Sequence, residues 1–145
     1  MDRRTLHVSQ FMSELPLSIG PRQPLAEAHR LMNEHKIRHL PVLRNGALAG
    51  LLSMDDLHLI ETLRDVDPAS ALVEDAMTRE ALVVPPDEHL DVVAEAMVVR
   101  RLGSAVVVEK GRVVGMFTTV DALQALVEVT RARSRAELAR ARSRS

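Results

Sequence analysis

The chain has 145 residues and is 46% hydrophobic, yet it holds no Trp, Tyr or Cys and only two Phe, so its core is aliphatic. Ring stacking on a base is almost excluded; a disulfide framework, a thiolate metal site and a cysteine nucleophile are excluded outright, and the missing cysteines fit a reducing, cytoplasmic setting. The net charge of −1 is uneven: residues 131–145 carry six Arg and one Glu, a net +5, which leaves −6 for the remainder and argues against polyanion binding by the body of the chain.

The opening MDRRTLHVSQ lacks the apolar run of a secretory signal, and no stretch reaches the roughly 18 apolar residues of a membrane span. Next, LPLSI reads as a short strand leading through Pro21 and Pro24 into a helix with Leu25, Ala28, His29 and Met32 on one face. LPVL and LAGLL flank Asn45 and Gly46, which predicts a hairpin, and SMDDLHLIETL has helical spacing. RDVDPAS, residues 64–70, is the linker. Beyond it the order recurs. LVV is a strand stopped by Pro85 and Pro86, and Asp87 is the expected N-cap of a helix carrying Leu90, Val93, Ala94 and Met97. AVVVEKGRVVGMF makes a second hairpin around Lys110 and Gly111, and TTVDALQALVEV a last helix. The end, TRARSRAELARARSRS, reads as a solvated continuation of that helix or a disordered end. Its evenly spaced arginines form no single helical face, and the alternative is an electrostatic contact for nucleic acid or an acidic protein.

A shift of sixty-five positions superimposes the two halves without a gap. Met12 falls on Met77, Pro21 on Pro86, Leu25 on Leu90, Met32 on Met97, Gly46 on Gly111, Gly50 on Gly115 and Asp56 on Asp121. The expected fold is α/β (α+β): two strand-helix-strand-strand-helix repeats related by a pseudo-twofold axis and packed into one module, since one copy alone buries little core. The divisions are 1–63 for the first repeat with its N-terminal segment, 64–70, 71–130 for the second repeat, and 131–145 for the tail.

The most specific duplication is a glycine, a hydroxyl and an aspartate: Gly50, Ser53 and Asp56, then Gly115, Thr118 and Asp121. Each hydroxyl and acid make a capping box, and each glycine permits a close strand approach. The same residues also suit a nucleotide. A helix start offers amides and a positive dipole end to phosphate, and a carboxylate one turn in accepts from two vicinal ribose hydroxyls. Arg38 and His39 are candidate phosphate contacts, or else solvated residues at a strand edge. His35 and His39 lack an acidic partner at ligand spacing, so no metal site is expected. Neither a nucleophile elbow nor a phosphate loop is present, so a non-enzymatic binding role is expected.

FMSELPLSI, IRHLPVL and GALAGLLSMDD, with their partners AMTREALVV, LGSAVVV and GRVVGMFTTVD, resemble a tandem pair of cystathionine-beta-synthase (CBS) domains, a Bateman module, over about residues 8 to 128. The resemblance implies two clefts between the repeats, each able to hold an adenine nucleotide such as AMP, ADP or ATP. One cleft would use Ser53, Met54 and Asp56 with Thr78, Val83, Ser104 and Ala105. The other would use Thr118, Thr119 and Asp121 with Ser13, Ser18, His39 and Leu40. It further implies a homodimer and a regulated partner protein. HLPV becomes SAVV in the second copy, losing Pro41, so the clefts need not be equivalent. Asp55 beside Asp56 adds a negative charge that repels a triphosphate or recruits Mg²⁺. The competing expectation is a ligand-free dimeric scaffold for protein interaction, and a third is a nucleic-acid contact through the tail.

Overall fold

Two glycine turns set the repeat into the backbone. Asn45 and Lys110 have φ of 53° and 52°, followed by Gly46 and Gly111 at 82° and 79°. Successive positive φ values are what a two-residue hairpin turn needs to match the strand twist. In the computed structural model, which describes residues 5–14, 17–63 and 65–144, these turns close β2 (His39–Arg44) on β3 (Ala47–Ser53) and β5 (Ser104–Glu109) on β6 (Arg112–Thr118). Leu15 and Pro16 of LPLSI, Arg64 of the linker and Ser145 of the tail lie outside the described residues.

In the first repeat, Ile19 bridges in parallel to Val42, and α1 (Leu25–His35) buries Leu25, Ala28 and Met32 before the β2–β3 hairpin and α2 (Met54–Glu61). A short helix, α3 (Val73–Ala76), opens the second repeat. There β4 (Val83–Val84) pairs in parallel with β5, α4 (Leu90–Arg100) buries Val93 and Met97, and α5 (Thr119–Ser143) follows β6. Both α1 and α4 end on a left-handed residue, Lys36 and Arg101. The mixed α+β architecture of two like repeats is the one expected. Among its described residues, LPLSI contributes a single bridge at Ile19.

Chain segments cross between the repeats. The strand β1 (Ser13–Glu14) pairs with β6, placing Ser13 opposite Met116 and Glu14 opposite Gly115, and gives the sheet order β1-β6-β5-β4. The counterpart in the first repeat is the bridge between Leu51 and Thr78. Hydrogen bonds follow the same exchange: Leu90 N donates to Leu6 O and Val8 N to Glu88 O, as Leu25 N donates to Ala71 O and Val73 N to Gln23 O. Val8 is fully buried in the core of the second repeat and Val73 in that of the first. Between them lies a seam cluster of Leu51, Val106 and Met116.

This exchange corrects the cap expected at Asp87. The N-cap of α4 is His89, which makes no side-chain cap bond. Asp87 sits in the turn after Pro86, and the free amide at Leu90 is satisfied by the Leu6 carbonyl at 2.8 Å instead. The tail is the continuation of α5 as far as Ser143, so residue 131 lies mid-helix. No helix among the described residues is long and apolar enough to cross a membrane.

Candidate functional site

The duplicated hydroxyl-acid pairs are capping boxes. Ser53 Oγ accepts from Asp56 N at 3.0 Å while Asp56 Oδ2 accepts from Ser53 N at 3.3 Å. Thr118 Oγ1 accepts from Asp121 N at 3.4 Å while Asp121 Oδ2 accepts from Thr118 N at 2.9 Å. The glycines permit close approach: a Cβ on Gly50 would stand 2.7 Å from Thr78 O, and one on Gly115 would stand 2.5 Å from Met12 Sδ and 3.0 Å from Ser13 O. Both structural roles read from the sequence are therefore real.

One of the two acids does more. Asp121 Oδ1 accepts from the Ser13 hydroxyl at 3.3 Å, a contact across the seam 108 positions apart in sequence. The register of β1 on β6 brings Ser13 there. Around this pair opens a cavity of about 680 Å³ lined by Ser13, Arg38, His39, Pro41, Thr118, Thr119 and Asp121 among the expected residues. Sequence reasoning missed Glu14, Leu17, Lys36, Ile37, Gly103, Met116 and Val120, which line it too. The sixty-five-residue shift could have found several of them, because Lys36 and Gly103 adjoin the strand starts on which His39 and Ser104 correspond. Ser18 is exposed and outside this lining, and the Leu40 side chain lies in the core of the first repeat.

The other expected set is arranged differently. Ser53 and Asp56 are half-buried at the start of α2, Met54 and Ala105 belong to the two cores, Ser104 is buried, and Val83 is exposed on β4. Thr78, the counterpart of Ser13, turns its hydroxyl to its own loop, accepting from Glu80 N at 3.4 Å. The two sets adjoin, since His39 pairs with Ser53 and Ser104 with Thr118 at the opening of each hairpin.

Each helix start is tied to the neighbouring loop. Met54 N donates to Arg38 O at 2.8 Å and Thr119 N to Gly103 O at 3.1 Å. The Thr119 hydroxyl donates to Gly103 O as well. Arg38 pairs with Asp55 at 3.0 Å on the exposed side of the helix start. Burial pushes the His39 imidazole below its ordinary range, Arg38 adds to the depression, and Asp55 and Asp56 oppose it. His39 is thus a neutral donor or acceptor near pH 7. His35 is exposed at the end of α1, and among the described residues no three His, Asp or Glu side chains gather as a metal site.

The pattern that describes the CBS domain matches residues 8–59 and again residues 73–128. The chain belongs to the CBS-domain family. It is 28% identical over 122 residues to inosine-5′-monophosphate dehydrogenase of Korarchaeum cryptofilum, a match covering 83% of this chain and 24% of that one, so the chain spans about a quarter of that relative. The CBS domain pair of protein MJ0100, solved with 5′-methylthioadenosine and S-adenosyl-L-methionine, is similar with a TM-score of 0.76 and 25% identity over 86% of this chain and 98% of that one. An uncharacterized conserved protein from Pyrococcus horikoshii superimposes at 0.73 with 27% identity, covering 86% and 94%. The duplication, the two hairpins and the crossed segments are thus those of a CBS pair.

Proposed function

We propose that this CBS pair is a cytoplasmic regulatory module that binds an adenine nucleotide between its repeats and passes occupancy to a partner protein. The observation that carries the reading is Asp121, whose Oδ1 receives a hydroxyl from the opposite repeat beside the start of α5. A ribose diol takes the place of the Ser13 hydroxyl there, while Oδ2 remains on its cap. Leu17, Ile37, Pro41 and Met116 supply an aliphatic slot for the base, in keeping with a chain that has no ring to stack on it. Lys36 and Arg38 also line the cavity, where Arg38 is held by Asp55. The ligands present in the MJ0100 pair are both adenosine derivatives, which supports the same class here.

Two copies pair through their outer helix faces in this reading. Leu59 on α2 and Leu123 and Leu126 on α5 are 65%, 58% and 57% exposed, apolar side chains that a second copy would cover. A ligand-free interaction scaffold is the competing reading, favoured by the fact that both acids already serve as caps.

Isothermal titration calorimetry on Asp121→Ala and Asp56→Ala separates the two. A charge-assisted hydrogen bond contributes about 1.5–3 kcal/mol, so each loss weakens AMP or ATP binding at its cleft by roughly 10- to 100-fold. Unchanged affinity in both variants, with circular dichroism confirming the fold, rejects nucleotide anchoring and leaves the scaffold.

A further inference from the structure

We propose that the two clefts are matched to ligands of opposite charge: the Asp121 cleft to an adenosine with an uncharged or cationic 5′ group, the Asp56 cleft to a nucleoside polyphosphate. The proposal rests on the nucleotide reading above. Its basis is the charge lining the 680 Å³ cavity, compared with what the sixty-five-residue shift places in the other cleft.

Glu14, Lys36 and Asp121 line the observed cavity, together with Arg38 and Asp55. The last two neutralise one another at 3.0 Å, which leaves a net charge of −1. The counterparts are Arg79 for Glu14, Arg101 for Lys36 and Asp56 for Asp121, a net of +1; Gly103 and Val120 of the observed lining correspond to Arg38 and Asp55, so the shift places that same paired couple in both clefts and it changes neither sum. Lys36 and Arg101 occupy the same left-handed position after α1 and α4, with φ of 53° and 55°. Glu14 lies opposite Gly115 in the β1–β6 pairing, and the bridge of Thr78 to Leu51 sets Arg79 at the corresponding place beside Gly50. The reversal at 14 and 79 is therefore a difference between equivalent positions. Burial keeps His39 neutral, so it adds no cation to the acidic cleft.

A polyphosphate entering the Asp121 cleft meets Glu14 as a like charge, whereas Arg79 and Arg101 attract it in the other. Two charge units at this range change affinity by about tenfold at low salt, and less as screening rises.

The test is calorimetry at low ionic strength without divalent cations, using ATP and 5′-methylthioadenosine. Asp56→Ala reports the Asp121 cleft and is expected to prefer 5′-methylthioadenosine by about tenfold or more; Asp121→Ala reports the other and is expected to prefer ATP. Adding Glu14→Arg to the first raises its ATP affinity, and adding Arg79→Glu to the second lowers it. Glu14 and Arg79 are exposed, so the same two charge reversals in the otherwise intact chain give the answer if either alanine variant fails to fold. The same order of preference in both clefts, or ATP affinities that ignore the reversals, overturns the charge assignment while leaving nucleotide binding in place. Binding of neither ligand by the unmodified chain overturns both.

Discussion

Gly50 and Gly115 occupy equivalent positions, yet the space around them differs in a way that decides what a methyl group would cost. At Gly50 the nearest atom to a new Cβ is a backbone oxygen, Thr78 O at 2.7 Å, fixed by its pairing with Leu51. At Gly115 the nearest is Met12 Sδ, the far end of a flexible side chain, with backbone only at 3.0 Å. Overpacking of a closed site costs about 1–3 kcal/mol. Gly50→Ala is expected near the upper end and Gly115→Ala near the lower, measured as the shift in urea unfolding. Equal losses would mean that both sites yield alike. The pair of glycines was legible in the sequence through the duplication, and both capping boxes were legible because they join residues within one turn. Ser13 on Asp121 was legible only through the family resemblance, and Glu14 in the cavity was not legible at all. Both follow from the register of a two-residue strand whose partners, Met116 for Ser13 and Gly115 for Glu14, lie far along the chain, which no local pattern encodes.

At the scale of elements, the hairpins and helices follow from turn chemistry and apolar spacing, whereas the helix ends do not. Pro24 and His89 precede α1 and α4 without offering a side-chain cap, and the free amides are met by carbonyls from Ala71 and Leu6. A cap supplied by a distant segment leaves no mark near the helix it caps, which is why Asp87 was the natural but mistaken choice. The end of α5 presents the reverse case. Ala125 is buried, whereas the residues from Leu126 onward are exposed, so the last turns depend on propagation from an anchored start, a good helix composition and pairs such as Arg133 with Glu137 at 3.2 Å. Truncation after Thr130 is accordingly expected to remove roughly half of the far-ultraviolet helix signal of α5 while shifting the unfolding free energy by less than about 0.5 kcal/mol. A loss of several times that amount would show that the arginine-rich turns pack on the body.

The whole molecule is built by exchange: the segment before each repeat completes the other one. Residues 71–74 deliver Val73 to the first core, and residues 6–9 deliver Val8 to the second, with matching backbone bonds. Cooperativity and the candidate site then share one origin, because the same crossing that buries Val8 also lays β1 along β6 and sets Ser13 on Asp121. A chain beginning at Leu17 loses the burial of Val8, worth about 1.5–3 kcal/mol, along with the β1–β6 pairing and the Leu6 carbonyl that meets Leu90. It keeps every segment that completes the first repeat. Its urea unfolding, followed by circular dichroism, should therefore separate into two steps, with the second repeat melting first. A single transition at the midpoint of the full chain would show that the crossing segment is dispensable, and the link between folding and the Asp121 cleft would fall with it.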